Sequence, residues 1–258
     1  MVNKKFDAAA EGQKTIQWIK EWFDENGKDC NAVIGISGGK DSSVVAALCV
    51  KALGKDRVIG VQMPNGEQKD IDASDLVFKT LGIRKVTFNI EEAVHGVLAQ
   101  FIAAGIDASI QTMTNLPCRI RMATLYAISQ SLNGRVLNTC NLSEDVVGWS
   151  TFGGDDMGAI SPLGGFTVQE ILEIGDWLQL PKELVYKTPS DGLCGETDED
   201  KFGFTYVELD DFIRNGSEPK NDKEKKMYEM YKKSFFKHKL IQLPTYLPNL
   251  PMNEVLEW

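Results

Sequence analysis

The chain has 258 residues, 43% of them hydrophobic and 25% charged, the make-up of a folded protein long enough to bury a core. Its formal net charge of −9 opposes a phosphate backbone, because nucleic-acid binders gain affinity from basic surfaces that release counterions, so no nucleic-acid partner is expected. The cysteines, Cys30, Cys49, Cys118, Cys140 and Cys194, stand at no metal-ligand or redox spacing, and no apolar stretch is long enough to span a bilayer; a cytoplasmic protein with reduced thiols and no membrane partner is expected.

Ile16, Ile19, Trp22 and Phe23 fall at helical spacing and predict a first helix over about 5–26, stopped by Gly27. Residues 31–37 read as a short β-branched strand, and 42–53, rich in alanine and leucine, as the helix behind it. The alternation continues with a strand at 58–63, a helix at 71–81, a strand at 85–90 and a helix at 91–104. A long helix over about 116–132 carries Ile120, Leu125 and Ile128 on one face and leads through Asn133-Gly134 into a strand at 135–138. This pattern predicts an α/β protein with a doubly wound, Rossmann-like parallel sheet of five strands, order 3-2-1-4-5, and helices on both faces. After Asn141, closely spaced glycines from Gly148 to Gly165, then Pro181, Pro189, Gly192 and Gly195, read as loops, and 220–239 as a lysine-rich helix before a proline-containing tail. The whole of 1–258 is expected to form one domain.

The strongest signal is Gly35-Ile36-Ser37-Gly38-Gly39-Lys40-Asp41-Ser42-Ser43, at the carboxyl end of the first strand and the start of the next helix. Ligands of open α/β sheets bind at that edge. Glycines let the chain turn tightly and aim N–H groups inward, the helix start adds partial positive charge, and Ser37 and Ser42 add hydroxyls, so the turn suits a pyrophosphate. A Walker loop would place Ser or Thr directly after the lysine, where this chain has Asp41. A carboxylate beside a polyphosphate calls for a hard cation between them, which makes Asp41 a candidate magnesium ligand. The plain alternative is a glycine-serine turn opening a helix, with Asp41 favouring its dipole.

The Ser-Gly-Gly-x-Asp-Ser loop resembles that of the N-type ATP pyrophosphatases, and separated blocks extend the resemblance to the ammonia-dependent NAD synthetase family over nearly the whole chain. These are Met63 to Gln68 with Asp70 to Ala73, Asn115 to Met122, Asn138 to Glu144, Asp155, and Lys187 to Leu193, continued by Asp198-Glu199, Gly203 to Tyr206 and Asp210-Asp211. The resemblance implies ATP contacts from Gly35, Ile36, Ser37, Gly38, Gly39, Lys40, Asp41, Ser42, Gln68, Thr139 and Ser190. It implies deamido-NAD contacts from Arg119, Asp155, His238 and Lys239, with Lys232 or Lys233 as alternatives to the last pair, and Mg2+ held by Asp41 and Glu144. Asp41, Lys40 and Asp155 are the residues expected to bear on the chemistry.

The implied reaction activates the nicotinate carboxylate of deamido-NAD as an adenylate, releases pyrophosphate, and displaces AMP with ammonia. The glycine-rich segments at 148–165 and 187–203 are the expected lids over the adenylate. Glutamine-using relatives carry a separate glutaminase domain for which this chain has no length, so free ammonia is the expected donor, and a homodimer is the expected assembly. Counting from Glu144, a lysine and an aspartate that many family members place against deamido-NAD become Phe152 and Ala159, and an ATP-contacting lysine becomes Val168. Lys40 is a candidate to supply the missing positive charge. Trp149 and Phe152 could stack on a ring or pack in a core or an interface, and His95 has no assigned role. Two competing readings stay open: a tRNA-modifying ATP pyrophosphatase, and a nucleotide-binding sensor without turnover.

Overall fold

The computed structural model describes residues 6–67, 71–187, 197–216, 218–240 and 243–256; for 238–240 the backbone alone is described. Helix α1, Ala8–Asn26, opens where the Asp7 carboxylate accepts from the Ala10 N–H, and buries Ile16, Ile19 and Phe23. The alternation then follows as β1 (Asn31–Gly35), α2 (Lys40–Leu53), β2 (Val58–Gln62), α3 (Ile71–Leu81), β3 (Arg84–Thr87), α4 (Glu91–Ala103), α5 (Ile110–Ser131) and β4 (Gly134–Val136). Helix α5 starts well before residue 116, capped by the Ser109 hydroxyl, and continues through Pro117.

All strand pairs are parallel, in the order β3-β2-β1-β4, with Ala32 opposite Val58 and Val33 opposite Val136. Side chains alternate across a strand, so β1 sends Ala32 and Ile34 into one core and Val33 into the other. The first core joins the sheet to α1 and α2; the second joins it to Ile90, Val94, Met122 and Leu125 of the α4–α5 side. Burial on both faces is why β1 and β2 read as continuous apolar runs.

Among the described residues the sheet has four strands, not five. Where a fifth was expected beyond β4, the chain makes a single parallel bridge, Leu137 to Ile160, with Ala159 N–H donating to the Val136 carbonyl (2.7 Å) and Asn138 N–H to the Ile160 carbonyl (3.0 Å). Pro162, Gly164 and Gly165 follow at once, and a proline without an N–H before two glycines cannot prolong the ladder.

The stretch after Asn141, expected to be loops, holds several helices: α6 (Leu142–Val147), α7 (Val168–Trp177), α8 (Lys182–Val185), α9 (Asp198–Phe202) and α10 (Tyr206–Asn215), followed by α11 (Asp222–Leu240). Its glycines punctuate helices rather than abolish them. Gly148 and Gly203 end α6 and α9 in the left-handed region (φ 70° and 75°), and Thr167, Thr197 and Thr205 open α7, α9 and α10 with reciprocal capping boxes. These helices enclose a third core of Leu142, Val146, Leu209, Phe212, Ile213 and Met227.

Candidate active site

The turn after β1 is built around Gly38, whose φ is 80° and where a Cβ would stand 2.5 Å from the Ser74 nitrogen. Only glycine lets the start of α3 lie this close. The Ser37 hydroxyl accepts from Gly39 N–H (3.2 Å) and meets the Ser42 hydroxyl at 3.1 Å, while the Ser43 hydroxyl donates to the Gly39 carbonyl at 2.7 Å. Gly39 caps α2 without a side chain, so the positive end of that helix is open to an anion.

Lys40 and Asp41 follow in the first turn of α2. The Lys40 ammonium is buried and lies 2.9 Å from Asp41 Oδ2. The other oxygen, Oδ1, accepts from the Asn141 amide at 3.1 Å. Asn141 also caps α6, its carbonyl oxygen accepting from the Glu144 N–H at 3.0 Å. One amide thus sets Asp41 and Glu144 in mutual register. Sequence reasoning assigned Asn141 no such role, although Asn placed three residues before Glu just after a strand is a legible helix-start signal.

Burial pushes the Glu144 carboxyl well above its ordinary range, the Asp41 charge adds to this, and Lys40 opposes it. For Lys40, burial disfavours the charge, but Asp41 and Glu144 outweigh it and raise the ammonium pKa. Two hard carboxylates with a deficit of positive charge fit a cation such as Mg2+, which takes one or two protein carboxylates and completes its shell with phosphates and water. Among the described residues no cluster of three or more His, Cys, Asp or Glu forms a cage of its own.

Thr139 is half-buried just beyond β4. Asp155 comes to the same region: its Oδ1 accepts from Thr151 N–H at 2.6 Å, and its carbonyl accepts from the Asn138 amide at 2.9 Å. Burial raises the Asp155 carboxyl above its ordinary value, against the backbone N–H of Thr151, and Asp156 is pushed up to about 6 by burial and by Asp155. Asp156 Oδ2 is buried with no hydrogen-bond partner among the described residues. Arg119 reaches this loop from α5, its Nε donating to the Phe152 carbonyl at 3.1 Å.

Gln68 and Ser190 lie outside the described residues, as do the side chains of His238 and Lys239, whose backbone belongs to α11. Among the described side chains, α11 brings Lys237 to the loop, with Nζ 2.9 Å from the Gly148 carbonyl and 2.6 Å from that of Ser150. It escaped notice because a lysine-rich helix does not declare which lysine turns inward. Lys232 instead lies over the Tyr228 ring, 4.7 Å from its centroid.

Of the positions expected to depart from the family, Val168 and Ala159 have structural roles. Val168 is buried in the third core and gives its N–H to the Ser143 hydroxyl. Ala159 pairs by its backbone with β4. Phe152 stays exposed, its ring 6.5 Å from that of Phe236, and Trp149 packs edge-on against Phe202.

The NAD synthase family model matches residues 11–241. This chain belongs to that family. It is similar to the NH3-dependent NAD(+) synthetase of Pyrococcus furiosus, 38% identical over 78% of this chain and 77% of that protein. Among solved structures it is similar to the NMN synthetase of Francisella tularensis, with a TM-score of 0.83 and 31% identity over 94% of this chain and 100% of that one. It is similar also to the NH3-dependent NAD synthetase of Campylobacter jejuni, with a TM-score of 0.73 and 25% identity over 95% and 100%. No helix among the described residues is long and apolar enough to cross a membrane, and Cys30, Cys49, Cys118 and Cys140 are free thiols.

Proposed function

We propose that this chain converts deamido-NAD to NAD with ATP and ammonia, as a carbon–nitrogen ligase of its family. The carrying observation is the Asp41–Glu144 pair, set by Asn141 beside the open start of α2 at the carboxyl edge of a parallel sheet. ATP lies with its triphosphate along Gly35 to Ser42, and Thr139, Gln68 and Ser190 take the contacts that the family resemblance assigns them. Arg119, with His238 and Lys239, holds deamido-NAD. Mg2+ fits Asp41 and Glu144, and when bound it neutralises charge on the phosphate oxygens.

The nicotinate carboxylate attacks the α-phosphorus, the bond to the β-phosphate oxygen breaks, and the N–H groups of the turn receive the charge of the departing pyrophosphate. Ammonia then attacks the acyl carbon of the adenylate, AMP leaves, and Asp155, whose raised pKa suits it to hold a proton, takes the one that nitrogen gives up. The chain works as one domain on free ammonia, as a homodimer, in the cytoplasm, where its free thiols stay reduced.

One observation favours a second reading of the substrate: the Francisella structure that this chain matches at a TM-score of 0.83 is an NMN synthetase. Nicotinate mononucleotide would then be amidated by the same two steps, and Phe152 and Ala159 would stand where contacts to the larger dinucleotide are not needed. Mass spectrometry of reactions containing ATP, magnesium, ammonium and either pyridine nucleotide decides between them. NAD and AMP from deamido-NAD, lost in Asp41→Ala, are expected. Turnover of the mononucleotide alone would replace the dinucleotide reading, and absence of AMP with both would end the ligase reading.

A further inference from the structure

The buried ammonium of Lys40 has no need to be where it is. A cation in the first turn of a helix faces the positive end of the dipole, and burial adds a desolvation cost. What offsets both is acidic company from three elements: Asp41 on α2 at 2.9 Å, Glu144 on α6, and Asp198 on α9. The ammonium also stands 5.8 Å from the ring centroid of Tyr206, whose hydroxyl donates to Asp198 at 3.3 Å.

With Lys40 on Oδ2 and Asn141 on Oδ1, both Asp41 oxygens are engaged within the protein. For the half-buried Glu144, the Lys40 charge favours the ionised carboxylate, against burial and the Asp41 charge. A divalent ion bound between Asp41 and Glu144 would stand close to the ammonium that lies 2.9 Å from Asp41 Oδ2, and the two cations would repel each other strongly in so buried a place.

We propose that Lys40 is a resident counter-ion of the Asp41–Glu144 pair, keeping the two carboxylates together in the metal-free protein and giving up its place when the divalent ion enters. The inference rests on the metal site proposed above. It implies that the free protein binds a divalent ion weakly, and that the ion enters best with ATP, whose phosphates offer the displaced ammonium a new partner. Tyr206 and Asp198 are protein groups already near it.

The test is titration of the nucleotide-free protein with Mn2+, following free Mn2+ by electron paramagnetic resonance. Lys40→Met should bind Mn2+ about tenfold more tightly than the wild type, since the competing charge is gone. Equal or weaker binding overturns the proposal. Adding Asp41→Asn to Lys40→Met should abolish the tight binding; if it does not, the ion sits elsewhere and the metal site itself is misplaced. Should Lys40→Met fail to fold, Lys40→Gln, which keeps a hydrogen-bond donor for Asp41 without the charge, is titrated and judged by the same criterion.

Discussion

Two regions of the site obey different logics. The turn between β1 and α2 is one uninterrupted stretch of chain in which Gly38 permits the left-handed backbone and Ser37, Ser42 and Ser43 hydrogen-bond within the turn itself. The loop from Gly148 to Asp156 is held by other elements: Lys237 of α11 grips its carbonyls, Arg119 of α5 reaches the Phe152 carbonyl, and Asn138 anchors Asp155. Contiguous chemistry can be read along a sequence, whereas chemistry assembled from distant parts cannot.

This contrast can be broken or sharpened by substitution. The largest effect is expected at Asp41→Ala, with AMP formation down roughly a thousandfold or more, about 4 kcal/mol of transition-state stabilisation, and an unchanged circular-dichroism spectrum. Gly38→Ala should cost roughly 3 kcal/mol of stability in urea denaturation, because the added Cβ meets α3 backbone at 2.5 Å in a left-handed conformation. A loss below about 1 kcal/mol would show that the turn relaxes more easily than its packing implies.

In the second region, Asp156→Asn tests the cost of a buried acid. Its folded pKa of about 6 lies above the ordinary value of 3.8, so the carboxyl favours folding below the lower value and loses that contribution as pH rises through the higher one. The variant should therefore be more stable than the wild type at pH 8, by up to about 3 kcal/mol, with the gap closing as pH falls from 6 toward 4. A gap that widens on acidification would refute the assignment. The smallest effect is expected at Thr205→Ala, which removes the α10 cap for about 1 kcal/mol, or a melting temperature roughly 2–4 °C lower.

The doubly wound sheet was legible because β1 and β2 are buried on both faces and their apolar runs admit one interpretation. The missing fifth strand was not, since a strand and a single bridge differ by one or two hydrogen bonds, and Pro162 decides between them. The helices after Asn141 were hidden by weighing glycines above caps: Thr167 with Glu170 and Thr205 with Glu208 spell helix starts at the required spacing. Within the site, Asp41, Lys40 and Glu144 came from a contiguous motif and a recognisable block. Lys237 depends on side-chain direction, which a helical lysine run does not encode, and the engagement of Lys40 with Asp41 depends on the rotamer that the lysine adopts beside its neighbour.

Asn141 closes one end of α6 and grips Asp41 with the same amide. Fraying of that helix start therefore loosens one of the two holds on the acid, the other being Lys40 at 2.9 Å, and couples the spacing of the acidic pair to the first turn of α6. Exchange of the Glu144 amide proton with solvent is its natural gauge: slow exchange means a site pre-set before any substrate arrives, fast exchange one that must be assembled at each turnover.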